Sequence, residues 1–382
     1  MVDYCRKRKR KDFRRCVELA TTRRAKRQLS QRGALLLLIM MFGVIAVTTF
    51  VIVIIFGAPR SKYPKRDPNA AEETMPPMTD PPTEAPTEPP PVVSYPEIAE
   101  TMKTLGTELD SEHAFLMDCE SNEVLAVKGG AESRIYPASM TKLMTIAVAS
   151  EYIEDPEHDL KWDDTFTFTE DILNPLYAQS ASMAGFQAGE KVCLRDLVYG
   201  AALPSGADAT VGLAMATVGS EEKFVELMND KIHELGLLNT HFVNTSGLYD
   251  ENHYSTVTDI ALIMEYCLSI DVSSQAISVV EYTTKPTDQH PEGIKLTSTM
   301  FNKMYGTEVQ GITIRGGKTG YTDEAGQCLA SYAETDDGHR YIAVTSRGTN
   351  KWHPVYDAFK LYGIITGTYP LEESDGAAAN AA

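Results

Sequence analysis

Between Gly33 and Gly57 lie 25 residues without a single charge (GALLLLIMMFGVIAVTTFVIVIIFG). At about 1.5 Å per helical residue this run exceeds the roughly 30 Å hydrocarbon core of a bilayer, so it can span one with some tilt. A cleaved secretory signal would have an apolar region of only about 7–15 residues. We therefore expect one uncleaved transmembrane helix, which divides the chain in two. Residues 1–32 hold thirteen Lys and Arg against Asp3, Asp12 and Glu18, a net of +10. With −18 for the whole chain, residues 33–382 carry −28. The basic tail is expected to remain cytoplasmic, against anionic lipid, and the 325 residues after Gly57 to lie outside, in the cell wall space. Their negative balance argues against nucleic acid as a partner.

Residues 58–96 read as a linker. From Met75 to Pro96 (MPPMTDPPTEAPTEPPPVVSYP) there is no apolar periodicity, and Pro, Thr and Glu dominate. Such a segment stays extended at about 3.1 Å per residue and acts as a spacer. Residues 97–368 then carry the folded domain, and 369–382 form a tail of disordered composition. Cys119, Cys193, Cys267 and Cys328 are widely scattered, with no C-x-x-C and no paired histidines at zinc-ligand spacing. They read as small buried hydrophobes, with disulfides as the alternative; no metal and no cofactor is expected.

Within the domain, residues 97–110 read as a short helix. Strands are expected at Ala114–Cys119 and Glu123–Lys128, joined by a turn at Glu120-Ser121-Asn122. Residues 138–152 (ASMTKLMTIAVASEY) are apolar all round, which places that helix through the middle of the domain. The stretch 153–190 reads as loop-rich. Helices follow at 194–203, 205–218, 221–235 (with Ser220 as cap) and 257–268. Strands return at 311–319, 326–333 and 341–347 before a last helix at 354–365. This is an α/β chain of the α+β kind, in which early and late strands can share one antiparallel sheet and the helical block forms a second lobe. A cleft between the two is the natural ligand site.

Three short motifs occur in order: Ser139-Met140-Thr141-Lys142, Ser205-Gly206-Ala207 and Lys318-Thr319-Gly320. Ser139 and Lys142 are three residues apart, so a helix brings both to one face, and Pro137 sets Ser139 in its first turn. Free N–H groups there favour developing negative charge. A serine becomes a useful nucleophile only when a base takes its proton. Lysine can be that base if burial or a nearby cation lowers its pKa, and Lys318 is the cation the sequence supplies. Taken alone, Ser139 and Lys142 fit a helix cap with a snorkelling lysine, and Ser205 a plain N-cap. The run Gly311–Tyr321 (GITIRGGKTGY) suits an edge strand that receives a peptide terminus. A phosphate-binding loop is excluded, because Ile312 stands where that pattern needs Gly and no helix follows.

These segments resemble the D-alanyl-D-alanine carboxypeptidases, the low-molecular-mass penicillin-binding proteins. The likeness runs from about Ala114 to Tyr362. It includes Pro137–Lys142, Arg195-Asp196-Leu197, Pro204-Ser205-Gly206, Leu235–Leu248 (LGLLNTHFVNTSGL), His253–Thr256 and Gly317–Ala325. The resemblance implies a transpeptidase/β-lactamase-like antiparallel sheet flanked by helices. It implies Ser139 as acylated nucleophile, Lys142 as its base and Ser205 as proton relay. Lys318 and Thr319 would hold the substrate carboxylate, with Gly320 beside them. The N–H groups of Ser139 and Tyr321 would form the oxyanion hole. The substrate implied is the peptidoglycan stem peptide ending in D-Ala-D-Ala, with β-lactams as acylating ligands, in cell wall and cell shape biosynthesis.

Two positions depart from the pattern. Ala207 stands where the family has Asn, which predicts a weakened or altered enzyme, with Asp208 as a partial substitute. The basic residue that supports carboxylate binding after the last strand is unassigned among Arg347, Lys351 and His353. Two alternatives remain: a non-catalytic peptidoglycan-binding module, favoured by Ala207, and a β-lactamase-type hydrolase. Glu170–Asn174 mimics the deacylating loop of such hydrolases but precedes Ser205, the wrong order, and reads as a loop with a helix-start acid.

Overall fold

The structure, a computed structural model, describes residues 94–304 and 309–368. The basic tail 1–32, the apolar run 33–57, nearly all of the linker 58–96 and the tail 369–382 lie outside the described residues. Among the described residues no single helix is long and apolar enough to cross a membrane.

Six strands form the central sheet: β1 (Glu97–Thr104), β2 (His113–Asp118), β3 (Glu123–Lys128), β8 (Ile312–Thr322), β9 (Gly326–Thr335) and β10 (Arg340–Gly348). Their order is β1-β3-β2-β10-β9-β8, antiparallel except where β1 runs parallel to β3. The early hairpin and the late strands thus join through β2 and β10, Phe115 opposite Val344. Alternate residues of these strands enter two different cores. Phe115, Met117, Ile342 and Val344 face the helical block; Ala114, Leu116, Tyr341 and Ala343 face the C-terminal helix, where Val355, Phe359 and Tyr362 cover them.

The helices are α1 (Lys142–Glu154), α2 (Glu170–Ala178), α3 (Leu194–Ala202), α4 (Ala207–Val218), α5 (Glu221–Glu234), α6 (Val257–Leu268), α7 (Asp271–Ser278) and α8 (His353–Thr366). Every residue of α1 from Lys142 to Ser150 is buried, as its apolar composition requires. Ser220 caps α5 by accepting from the Lys223 N–H. Two small hairpins complete the fold: β4 (Thr165–Thr167) with β5 (Lys191–Cys193), and β6 (Glu281–Thr283) with β7 (Lys295–Thr297).

Three sequence expectations are corrected. Residues 97–104 form strand β1 rather than a helix. The open edge of the β2–β3 hairpin supplies backbone partners, beginning with Glu97 N–H to Asn122 O at 2.9 Å, and these outweigh the helix-like spacing of Ile98, Met102 and Leu105. The stretch 153–190 contains α2, which buries Leu173 and Leu176 and has Glu170 in its first turn. Ser205 does not open α4; Gly206 is the N-cap, and Ser205 sits just outside in the left-handed region, at φ 68°. Cys119, Cys193, Cys267 and Cys328 are all free thiols, and only Cys119 is less than fully buried.

Candidate active site

Pro137 is followed by a 3-10 turn, Ala138–Thr141, that leads directly into α1 and presents Ser139 at the base of a cavity of about 440 Å³. One turn on, Lys142 is 2% exposed and its Nζ donates to Ser139 Oγ at 3.0 Å and to the Ser246 carbonyl. Ser246 belongs to a loop that Asn244 fixes, its Oδ1 accepting from the Gly247 N–H at 2.7 Å. Gly247 lies against the Ala138 carbonyl so closely that a methyl group there would stand 1.9 Å from the oxygen. Only glycine, which also tolerates its φ of 79°, allows this loop to seat the nucleophile turn.

Burial is what lowers the Lys142 pKa, to about 7, against the opposing pull of Asp208 and Glu221. Of the two causes the sequence offered, burial leads, and Lys318 is the nearby cation. Its own pKa is pushed well below the usual value, first by burial and then by the Lys142 and Lys303 charges. Lys318 is 1% exposed and donates to Ser205 Oγ at 2.9 Å and to the Thr319 carbonyl at 2.8 Å. Two serine–lysine pairs therefore face one cavity.

β8 forms the opposite wall, as the sheet's edge strand. Thr319 Oγ1 pairs with Thr299 Oγ1 at 2.7 Å. Gly320 packs against the nucleophile turn, where a Cβ would stand 3.0 Å from Pro137 O and 3.1 Å from Ser139 N. Ser139, Lys142, Ser205, Thr319, Gly320 and Tyr321 all line the cavity; Lys318 lies beneath it and touches it through Ser205.

Ala207 also lines the cavity, 1% exposed, and its Cβ joins an apolar cluster with Leu176 and Val211. Asp208 is no substitute for a carboxamide there. Its oxygens accept from the N–H groups of Ala184, Gly185, Phe186 and Ala209 at 2.8–3.3 Å, holding the loop beside the cavity. Glu170 does not reach the lining, and no described lining residue is a carboxylate. Nor do Arg347, Lys351 or His353 line it: Arg347 pairs with Glu112 and His353 with Asp110, while Lys351 lies over the Trp352 ring. The other described cation lining the cavity, besides Lys142, is Lys303, which sequence reasoning missed. Ser246 and Gly247 were also unassigned, although they lie in the segment 235–248 quoted for its likeness.

A serine hydrogen-bonded to a buried lysine of near-neutral pKa, in a pocket rich in hydroxyls, defines a serine acyl-transfer site. The family matching residues 99–349 is described as D-alanyl-D-alanine carboxypeptidase. The D-alanyl-D-alanine carboxypeptidase DacF of Bacillus subtilis (strain 168) is 33% identical over 247 residues, covering 63% of this chain and 59% of that protein. DacA of Escherichia coli (strain K12) is 33% identical over 245 residues, covering 63% and 57%. Among solved structures, the Streptomyces K15 DD-transpeptidase superposes with a TM-score of 0.60 at 26% identity, covering 68% of this chain and 98% of that one. Penicillin binding protein 5 from Haemophilus influenzae gives 0.59 at 28% identity, covering 68% and 71%. The chain belongs to the D-alanyl-D-alanine carboxypeptidase family. It spans a little under three-fifths of the length of the two curated relatives.

Proposed function

We propose that this protein is a serine-type D-Ala-D-Ala carboxypeptidase that removes the terminal D-alanine from peptidoglycan stem pentapeptides. The observation that supports it most is the pairing of Ser139 Oγ with Lys142 Nζ at 3.0 Å beside the Ser205–Lys318 pair at 2.9 Å. In this reading neutral Lys142 takes the Ser139 proton as Oγ attacks the penultimate D-alanine carbonyl. The oxyanion is received by the N–H groups of Ser139 and Tyr321. As the C–N bond breaks, Ser205 passes its proton to the departing amine of D-alanine and takes in exchange the proton Lys142 had accepted, so Lys142 is neutral again. Water then adds to the acyl ester as Lys142 takes its proton, and collapse breaks the C–O bond, with that proton returned to Ser139 Oγ as the tetrapeptide leaves.

A β-lactam would acylate Ser139 by the same attack. Its amine remains tethered to the opened ring, so the adduct outlasts the peptide acyl-enzyme. Among the described residues no carboxylate lines the cavity where a general base of the β-lactamase kind would stand, which favours the carboxypeptidase reading over that alternative. Ala207 favours a second reading, a non-catalytic peptidoglycan-binding protein.

The proposal includes placement. Residues 33–57 span the cell membrane with the basic tail inside, 58–96 act as spacer, and the catalytic domain works in the cell wall space. The test uses the full chain and a pentapeptide ending in D-Ala-D-Ala. Release of one equivalent of free D-alanine per peptide, lost in Ser139→Ala, is the expected result. Binding without release would favour the non-catalytic reading. Proteolysis of intact cells that spares the first 32 residues and degrades the domain would support the orientation; the reverse pattern would overturn it.

A further inference from the structure

Segment 241–254 closes on itself at a neck, where the His241 N–H donates to Tyr254 O at 2.9 Å and the Tyr254 N–H to His241 O at 3.0 Å. The loop so formed is bound to the nucleophile turn and the start of α1 at three positions. Thr145 Oγ1 donates to the Thr245 carbonyl at 2.7 Å, Lys142 Nζ donates to the Ser246 carbonyl, and Thr141 Oγ1 lies 2.7 Å from His253 Nε2. The last of these is a histidine to which the mechanism gives no part.

His253 and Thr141 are both buried. The Val243 N–H donates to His253 Nδ1 at 3.2 Å, so that nitrogen bears no proton. The neutral ring therefore has its proton on Nε2 and donates it to Thr141 Oγ1. Burial pushes the His253 pKa down to about 3, helped by the His241 and Lys142 charges and opposed by Asp250, so the ring stays neutral. Thr141 stands at the N-cap of α1 but does not cap it with its side chain. Its hydroxyl meets the imidazole instead, and one ring joins the loop neck to the turn that presents Ser139.

A neutral lysine amine has two N–H bonds and one lone pair. With one N–H of Lys142 given to the Ser246 carbonyl, the position of that carbonyl decides whether the lone pair meets Ser139 Oγ, 3.0 Å away. We propose that His253 is a positioning residue, whose imidazole ties the loop 241–254 to Thr141 and so holds the Ser246 carbonyl where it aims Lys142 at Ser139. This rests on the carboxypeptidase reading for the role of Lys142 as base. His253 does not line the cavity, so it acts through Thr141 and the loop. Without it, water reaches Lys142 and the amine loses its fixed direction.

The experiment titrates Lys142 directly, by NMR of the full chain in detergent with carbon-13 at lysine Cε, the signal being the one lost in Lys142→Arg. The rate of acylation by a penicillin is measured alongside. The charged and titratable groups facing Lys142 are Asp208 on α4, Glu221 on α5, Lys318 on β8 and His253 itself; His241 and Asp250 face His253. Because the imidazole is neutral, His253→Phe removes no charge, and a moved Lys142 midpoint reports hydration. That midpoint, near 7 in the wild type, should rise by about one unit or more in His253→Phe. Acylation at neutral pH should slow about tenfold or more. Thr141→Val, which leaves the imidazole in place, should reproduce both effects and serves if His253→Phe does not fold. The two together should add little to either alone. His253→Gln, whose side-chain amide can still donate to Thr141, should stay close to the wild type in both. A midpoint unmoved in Thr141→Val, or moved as far in His253→Gln as in His253→Phe, would overturn the assignment, whatever the variants do to Tm. A moved midpoint in a protein that penicillin does not acylate would sink the carboxypeptidase reading and leave this one standing.

Discussion

Lys142 holds its ammonium nitrogen 3.0 Å from Ser139 Oγ while being 2% exposed, so a desolvated base stands beside a nucleophile that stays open to the cavity. Its pKa, lowered to about 7 by burial, sets a pH dependence. Below that value Lys142 keeps its proton and cannot accept another; above it the neutral amine accumulates. The acylation rate by a β-lactam should therefore rise about tenfold per unit on the acid side and level off above about pH 7. Lys142→Arg, which cannot deprotonate, should not be acylated at any pH. A flat rate from pH 5 to 9 would contradict the assignment of Lys142 as base. The same shift has a stability consequence. The folded state binds this proton less tightly than the unfolded chain, so folding becomes more favourable as pH rises between the two pKa values.

Ser205 carries its hydroxyl in the left-handed region at φ 68°, a conformation that costs a non-glycine residue roughly 1–2 kcal/mol. Ser205→Gly and Ser205→Ala should both lower turnover, by about a hundredfold or more, since each deletes the group that Lys318 contacts. The two should differ in stability, with the glycine variant melting several degrees higher. Equal melting temperatures would show that the strain is not real.

Ala207 is predicted to limit the enzyme. Ala207→Asn restores a carboxamide to the wall between Ser205 and the loop 180–183, and turnover of the D-Ala-D-Ala peptide should rise about tenfold or more. The carboxamide would also enter the apolar cluster of Leu176 and Val211, so Tm should fall slightly. An unchanged turnover would show that this chain has dispensed with the contact.

The three motifs were legible because acyl transfer restricts which side chains can stand together, and their order along the chain fixes the walls of the cavity. The helix of residues 257–268 and the strand of residues 123–128 were read to the residue, each having strong local periodicity. Residues 97–104 were misread because their pattern is weak and the deciding partner, Asn122 at the hairpin edge, lies elsewhere in the sequence. Ser205 was misread as a helix start because no local signal reports a left-handed serine. Lys303 was invisible for a related reason: nothing in its local sequence marks it, and only the folded chain places it in the cavity wall. The Lys142 shift was legible in kind, since burial through a helix centre was one of the two causes offered, and it is the leading one.

The most direct test of the account is intact-mass spectrometry of the full chain after brief exposure to a penicillin. The account predicts one added equivalent, mapped to Ser139 by peptide mapping, absent in Ser139→Ala and in Lys142→Arg, and retained in Ser205→Gly at a lower rate. No adduct on a folded wild-type protein, or an adduct that survives Ser139→Ala, would contradict it.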